Sequence, residues 1–210
     1  MNSKFNAAVF IGNGGRLKAI YDCFKKIANA KTVLIISDKI SSRGIDWVKA
    51  KDKNINAFCF PLKKWLGDNP TKTRKDFNIE LAEILKSNKI NLVVLAGWDV
   101  VLSDDFLKNF PNQVINIHPA LCPAFPGMHS EKQAMDYGVK YTGCTLHFVD
   151  VGVDTGQIIF QEVVKIGDGD TLEELQEKIH QKEEYILIKG IKAICAGNLL
   201  IKGRRVIIKK

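Results

Sequence analysis

The chain has 210 residues, of which 46% are hydrophobic and 26% charged, and its net charge is +8 at pH 7. This length and composition are typical of a single globular domain, and no apolar run is long enough to span a membrane. The lysines and arginines are spread along the chain, and no nucleic-acid-binding motif accompanies them. The charge therefore favours small anionic substrates over nucleic acid.

The cysteines at positions 23, 59, 122, 144 and 195 are odd in number and widely spaced, and no CxxC pair occurs. This pattern predicts reduced thiols in a cytoplasmic protein and no zinc site. The first residues do not combine a basic segment, an apolar stretch and a small-residue cleavage site, so we expect no signal peptide.

In the first half of the chain, apolar runs alternate with amphipathic stretches. The runs predict strands at 7–12, 32–37, 55–60, 91–97 and 113–118. A three-to-four spacing of apolar residues predicts helices over 17–30 and 74–88, and the polar stretch 62–73 is predicted to be a loop. This alternation predicts an α/β fold with a doubly wound, mostly parallel sheet, Rossmann-like in its N-terminal half.

The second half has a different pattern. Two predicted strands, 142–150 and 156–166, are so close together that they favour an antiparallel hairpin. A long helix is predicted over 170–197, and Thr171 with Glu174 forms a capping box at its start. We expect one domain over residues 1–210, with halves at 1–100 and 101–210.

A glycine-rich turn joins the first predicted strand to the first predicted helix, with Gly12, Gly14 and Gly15 followed by Arg16. Glycines let the backbone approach a ligand closely, and a helix N-terminus offers free N–H groups to an anion. The spacing matches neither the dinucleotide-binding pattern nor the Walker A pattern. A phosphate-binding turn and an ordinary tight turn are both compatible with these residues.

Asn116 and His118 end a predicted strand, directly before a segment with prolines at 119, 123 and 126. Residues i and i+2 of a strand point to one side, and open α/β sheets bind ligands at the carboxyl ends of their strands. An amide and an imidazole placed there can stabilise an oxyanion and transfer protons. The alternative is a buried pair with structural hydrogen bonds, but the Asn-x-His-Pro arrangement favours a functional site.

Asp150 and Asp154 lie in a glycine-containing loop between the two strands of the predicted hairpin. Aspartate and glycine are common in turns for purely conformational reasons. A carboxylate beside His118 would instead favour the cationic form of the imidazole. The sequence does not show whether the two residues meet.

These three signals, in this order, resemble the phosphoribosylglycinamide formyltransferase family of folate-dependent enzymes in purine synthesis. The resemblance covers nearly the whole chain and rests on the segments GNGGRLKAI, LVVLAGW, INIHPALCPAFPGMHSEKQAM, GCTLHFVDVGVDTGQIIFQ and HQKEEYILI. It implies the formyltransferase fold. It also implies transfer of a formyl group from the co-substrate 10-formyltetrahydrofolate to the amine of glycinamide ribonucleotide, without a metal.

The resemblance implies catalytic roles for three residues. His118 would be the general acid, Asn116 would donate its amide to the formyl oxygen, and Asp154 would hold the imidazole cationic and position a water. His129 and His147 would be supporting residues, and we expect a structural hydrogen bond for His147.

The resemblance also implies two sets of binding residues. The ribonucleotide would contact Gly14, Gly15, Arg16, His180, Gln181, Lys182 and Glu183. The folate would contact Arg74, Asp99, Val100, Val101, Leu102, Asn116, Asp150, Val151, Gly152, Val153 and Asp154. Residues 1–100 would then be the phosphate-binding half, and residues 101–210 the catalytic and folate-binding half. Family members usually have Gly-Ser-Asn where this chain has Gly14-Gly15-Arg16.

The implied partners are the two small-molecule substrates, with no nucleic acid and no membrane. The implied location is the cytoplasm. Whether the chain forms a homodimer is left open by the sequence. Two other functions also stay open. One is an N-formyltransferase acting on a nucleotide-sugar amine, which would keep the same catalytic residues. The other is a folate- or nucleotide-binding protein without catalysis, against which the intact Asn116, His118 and Asp154 argue.

Overall fold

The structure is a computed structural model that describes residues 5–209, and the chain divides into two compact units after Ile115. The elements that begin in the first unit are β1 (Phe5–Ile11), α1 (Leu17–Lys25), β2 (Ala30–Ser37), α2 (Arg43–Lys51), β3 (Asn56–Cys59), α3 (Leu62–Asp68), α4 (Arg74–Ser87), β4 (Leu92–Ala96), α5 (Asp104–Leu107) and β5 (Val114–His118). Strand β5 crosses the division, so that its last residues belong to the second unit.

In the first unit the strand order is β3-β2-β1-β4, and all of these strands run parallel. Just before β5, the Gln113 carbonyl accepts a hydrogen bond from the Val93 N–H of β4 at 2.7 Å. The order reverses between β1 and β4, and ligands of open α/β sheets bind outside the carboxyl ends of strands at such a reversal. The predicted doubly wound, mostly parallel sheet is confirmed.

Burial explains why these strands lack polar alternation. Strand β4 is buried along its whole length, as is β1 from residue 7 onward. Helix α1 covers the sheet with Leu17, Ile20 and Phe24, which recur on one face at the helical spacing. Burying each such side chain stabilises the fold by about 1.5–3 kcal/mol.

The prediction of a loop over 62–73 is wrong, because helix α3 occupies its first part. The buried ring of Trp65 packs edge-on against Phe77 with 5.5 Å between ring centroids, and its indole N–H donates to Glu80 at 3.1 Å. One buried anchor in a lysine-rich stretch gives too little periodicity to predict a helix.

Other differences lie at element ends and in short elements. The helix predicted over 17–30 ends at Lys25, because the Lys26 N–H turns back to the carbonyls of Cys23 and Phe24 and the chain then enters β2. Helices α2 and α5, a helix over Ser130–Tyr137 and two C-terminal strands were not predicted. These elements are short, and a short element carries little periodicity of its own.

The second unit contains the end of β5 and a set of further elements. These are α6 (Ser130–Tyr137), β6 (Tyr141–Phe148), β7 (Ile158–Lys165), α7 (Leu172–Cys195), β8 (Leu199–Lys202) and β9 (Arg205–Ile208). Strands β6 and β7 form the predicted antiparallel pair, and β8 and β9 form a separate hairpin. Helix α7 begins with the predicted capping box and packs on β6 and β7. No helix among residues 5–209 is long and apolar enough to cross a membrane.

Asp52 ends α2 and joins it to α1 through a polar cluster. Its carboxylate accepts a hydrogen bond from the Tyr21 hydroxyl at 3.1 Å and lies 2.9 Å from the Lys25 ammonium. The Asn54 N–H donates to the other carboxylate oxygen at 3.1 Å. Lys25 above all lowers the pKa of Asp52 to about 2.

Replacing Asp52 with asparagine is expected to lower the free energy of unfolding at pH 7 by about 1 kcal/mol, since solvent around the exposed Lys25 screens the pair. The folded pKa is below the unfolded value of about 3.9, so the ionised carboxylate stabilises the fold above that pH. This contribution is lost as the pH falls toward 2. Urea unfolding of both proteins at pH 7 and pH 3.5 should show the difference shrinking in acid.

The exposed Asp22 on α1 offers a matched control, and Asp22→Asn should leave the free energy of unfolding at pH 7 close to that of wild type. An Asp52→Asn difference that stays constant from pH 7 to pH 3.5 would contradict the linkage to this carboxyl.

Candidate active site

Hydrogen bonds from two serines fix the glycine-rich turn after β1, and a cavity lies beside it. The Ser37 and Ser42 hydroxyls each donate to the Gly12 carbonyl at 2.8 Å. Gly14 has a φ of +86°, and a Cβ there would lie 2.7 Å from the Cα of Gly44. Only glycine fits this position without a shift of backbone.

A cavity of about 380 Å³ lies beside this turn and contains Gly14, Gly15, Lys18, Arg43 and Trp47 in its lining. Two cationic side chains and the backbone of a glycine turn before a helix make this cavity suited to an anion. Arg16, at the N-cap of α1, is half-buried. The residues predicted from sequence at this turn were Gly14, Gly15 and Arg16. Lys18, in the first turn of α1, was not predicted, and neither was Arg43, which the tertiary structure brings to the turn from α2.

A second cavity in the first unit, of about 580 Å³, is lined by three of the predicted folate contacts. Arg74 lies there together with Asp99 and Val100, as do Lys39 and Lys63. Two other predicted folate contacts differ in their surroundings, because Val101 is exposed and Leu102 is buried in the core.

Asp99 forms an ion pair in this cavity with Lys39, a residue that was not predicted from the sequence. The Lys39 ammonium lies 2.6 Å from the Asp99 carboxylate and 3.4 Å from that of Asp38. The Asp99 N–H donates to Asp38 at 2.8 Å. Burial raises the pKa of Asp38 above its usual value, although the Asp99 N–H and Lys39 oppose this effect.

In the second unit, the end of β5 carries the predicted amide and imidazole. His118 is buried; its Nε2 lies 2.9 Å from the Phe125 carbonyl, and its Nδ1 lies 3.3 Å from Asp154 Oδ2. A carbonyl and a carboxylate only accept hydrogen bonds. The Nε2–H therefore donates to the Phe125 carbonyl, and the other side of the ring lies within ion-pair distance of the Asp154 carboxylate.

Asp154 does meet His118, which the sequence left undecided. Its Oδ2 also accepts the Gly127 N–H at 2.9 Å, and its Oδ1 lies 3.5 Å from the Asn116 amide nitrogen. Burial by itself raises the pKa of Asp154, but the hydrogen bonds from His147 and Gly127 and the nearby imidazoles outweigh it. The pKa of Asp154 thus lies below its usual value, so the carboxylate is ionised at neutral pH.

The loop that carries Asp154 has a constrained shape. Asp150 accepts hydrogen bonds from the Thr155 hydroxyl at 2.5 Å and from the Gly152 N–H at 3.2 Å. Asp154 itself has a φ of +54°, a left-handed conformation that is uncommon for a residue with a side chain. Val151 and Val153 are exposed on the same loop. Sustaining this conformation requires surrounding contacts that fix it.

His147 makes the structural hydrogen bond we expected and also lies beside Asn116 and Asp154. Its Nδ1 does lie 2.8 Å from the Phe148 carbonyl, which can only accept. Its Nε2 lies 3.3 Å from the Asn116 amide nitrogen and 3.5 Å from Asp154 Oδ1. His147 thus adjoins both the Asn116 amide and the Asp154 carboxylate through one ring nitrogen. Its position on β6, one strand from β5, was the signal that sequence reasoning did not use.

The predicted ribonucleotide residues on α7 divide into different environments. Glu183 is buried, and His180, one turn earlier, is exposed with its Nε2 3.9 Å from the Glu183 carboxylate. Lys182 lies 3.6 Å from Glu162 on β7, and Gln181 is exposed. His129 begins α6 in a left-handed conformation and is exposed.

No group of three His, Cys, Asp or Glu residues that could hold a metal ion occurs between residues 5 and 209. The five cysteines are all free thiols. The described site contains an amide, two imidazoles and an ionised carboxylate.

An α/β sheet with this cluster defines a class of group-transfer protein that can stabilise an oxyanion and transfer a proton at one carbonyl. The sequence model of the formyl transferase family matches residues 5–191, and the chain belongs to that family.

Individual proteins of known name are similar to the chain over most of its length. Phosphoribosylglycinamide formyltransferase from Dictyostelium discoideum is 36% identical over 203 residues, which cover 90% of this chain and 98% of that protein. The trifunctional purine biosynthetic protein adenosine-3 from Drosophila pseudoobscura is also 36% identical, over 92% of this chain, but the match spans only 14% of that protein's length. Glycinamide ribonucleotide transformylase 1 from Symbiobacterium toebii superposes with a TM-score of 0.89 at 36% identity, covering 99% of this chain and 95% of that one. The expected formyltransferase fold is confirmed.

Proposed function

We propose that this chain transfers the formyl group of 10-formyltetrahydrofolate to the amine of 5'-phosphoribosylglycinamide, giving N-formylglycinamide ribonucleotide and tetrahydrofolate in purine biosynthesis. The observation that carries the proposal is the contact of His118 with Asp154, 3.3 Å apart, beside the Asn116 amide. Family membership and relatives named for this reaction support it.

The proposed reaction exchanges one C–N bond for another. The amine nitrogen of the ribonucleotide bonds to the formyl carbon, the bond from that carbon to the folate nitrogen breaks, and the proton lost by the amine ends on the folate nitrogen. Asn116 donates its amide hydrogen to the formyl oxygen while negative charge develops there. His118 supplies a proton, and Asp154 stabilises the imidazolium and orients a water through which the proton moves.

The proposed contacts of the ribonucleotide fall into two groups. In the first, the backbone of Gly14 and Gly15 would hold the phosphate, with Arg16 and the missed cations Lys18 and Arg43 supplying charge. In the second, His180, Gln181, Lys182 and Glu183 are the proposed contacts. Arg16, in place of the family's usual asparagine, would strengthen recognition of the phosphate by charge.

Binding of the folate is likewise assigned to two groups of residues. Arg74, Asp99 and Val100 share one cavity with Lys39 and Lys63, and these cations suit the carboxylates of the glutamate tail. Val101, Leu102 and Asn116 complete the proposed set, together with the loop from Asp150 through Val151, Gly152 and Val153 to Asp154. The exposed valines of that loop offer apolar surface to the pterin.

We further propose that residues 1–210 act as one formyltransferase domain in the cytoplasm, on these two small molecules alone, with no nucleic acid and no membrane as partners. A homodimer remains a proposal that sedimentation of the purified protein would decide.

The test is an absorbance assay of the purified protein with 10-formyltetrahydrofolate, with and without glycinamide ribonucleotide. We expect tetrahydrofolate release that depends on the ribonucleotide. Release without any acceptor would indicate a hydrolase, and release only with a nucleotide-sugar amine would change the acceptor. Folate binding without release with either acceptor would overturn catalysis and leave a binding protein.

A further inference from the structure

The basic hairpin β8-β9, at the C-terminal end of the described chain, reaches the loop that carries Asp154. Arg204 lies in the turn of this hairpin, and its Nη2 donates to the Thr155 carbonyl at 2.7 Å. The same nitrogen lies 3.5 Å from the Gly156 carbonyl. Strand β9 also contacts β7, the strand that the loop enters. The hairpin is thus packed against the point where the chain leaves Asp154.

The backbone of the loop is tightly constrained at this point. Asp154 is in the left-handed region, and two residues later a Cβ at Gly156 would lie 1.6 Å from the Phe148 carbonyl oxygen. Between these two residues, the Thr155 hydroxyl donates to Asp150 and so ties the end of the loop to its beginning. A small rotation of the peptide after Asp154 would therefore move its carboxylate against His118 and Asn116.

Arg204 is suited to prevent that rotation. A guanidinium presents several N–H groups in one plane and keeps its charge at any working pH, and charged donors form the stronger hydrogen bonds to carbonyls. It comes from an element separate in sequence from the loop, so it can fix the loop's position as well as its internal shape. The exposed side chain makes a modest contribution to global stability, so its effect should be local.

We propose that Arg204 is a positioning residue for formyl transfer, which holds the backbone after Asp154 so that the carboxylate stays in contact with His118. The inference rests on the proposed catalytic role of Asp154. Because geometric error of about 1 Å in a catalytic group can reduce turnover about 10²-fold, partial loosening of this loop should have a smaller but measurable effect.

The experiment compares Arg204→Ala, Arg204→Lys and the matched control Arg205→Ala in the full chain, in the formyl-transfer assay. Arg205 is the adjacent residue, exposed and with the same charge, and the described contacts give it no side-chain bond to the loop. We expect Arg204→Ala to lower kcat roughly tenfold with KM for the ribonucleotide little changed. Arg204→Lys should recover most of the loss, because a lysine can still donate to the Thr155 carbonyl, and Arg205→Ala should match wild type.

Thermal unfolding of each variant shows that the assayed protein is folded. Equal kcat in Arg204→Ala and Arg205→Ala, or a change confined to KM, would overturn the inference. Asp154→Asn assayed in parallel separates the two proposals. If Asp154→Asn is as active as wild type, the proposed role of Asp154 fails; if it is inactive while Arg204→Ala is fully active, only the role of Arg204 fails.

Discussion

His118→Ala is expected to lose about 10³-fold in kcat while 10-formyltetrahydrofolate still binds with little change, because general acid catalysis contributes about 10²–10⁴-fold to turnover. The imidazole lies between the Phe125 carbonyl and the Asp154 carboxylate, and alanine can neither supply a proton nor pair with that carboxylate. The measurement is steady-state turnover in the absorbance assay, together with folate binding by titration calorimetry.

A suitable control for the fold is Thr142→Val on β6. Thr142 is buried, and its hydroxyl has no hydrogen-bond partner within the described range 5–209. Valine has the same shape, so this variant should keep wild-type turnover and at least wild-type stability. If His118→Ala turned over as fast as wild type, the proposed mechanism would be wrong. Loss of folate binding along with turnover would instead assign His118 to substrate binding.

Asp154→Asn is expected to lower kcat by about 10²-fold or more with the fold retained, because the charge that stabilises the imidazolium disappears while the side-chain shape stays. Asparagine can still accept the Gly127 N–H through its carbonyl oxygen, so the loop should keep its conformation. Turnover at pH 7.5, with KM determined for both substrates, checks the result.

The same variant carries a pH-dependent signature. The folded pKa of Asp154 is lowered, so its ionised form stabilises the fold above the unfolded carboxyl value of about 3.9. This contribution is lost as the pH falls through the folded pKa. The stability difference between wild type and Asp154→Asn should thus be full at neutral pH and shrink below about pH 4. Asp168→Asn, an exposed carboxylate paired with Lys140, is the control and should leave turnover unchanged. A wild-type kcat for Asp154→Asn would remove this carboxylate from the mechanism.

Much of the fold could be predicted because long buried elements show in the local pattern of residues. The apolar strand cores and the 3–4 spacing of α1, α4 and α7 follow from burial on one or both faces. The elements that were missed, such as α3 and the hairpin β8-β9, are short and mostly exposed. Their formation depends on contacts such as Trp65 against Phe77, which are distant from the local pattern.

The candidate site divides in a similar way. Asn116 and His118 were predictable as partners because two residues along a strand share a side, which is a local rule. The meeting of His118 with Asp154 and of Asn116 with His147 depends on the packing of β5, β6 and their loops. Tertiary structure also places Arg43 beside the glycine turn and Lys39 against Asp99, and neither contact is visible in the sequence.

Residue order alone therefore decided the α/β class, the glycine turn after the first strand and the polar strand end at Asn116 and His118, since each depends on neighbours in the chain. Tertiary structure decided which charges meet. The pKa of Asp154 is set by burial opposed by His147, Gly127 and His118, residues that lie between 7 and 36 positions away. The anchoring of its loop by Arg204 spans 49 positions. Electrostatic and hydrogen-bond energies depend on distances through space, and the chain sets those distances only once it has folded.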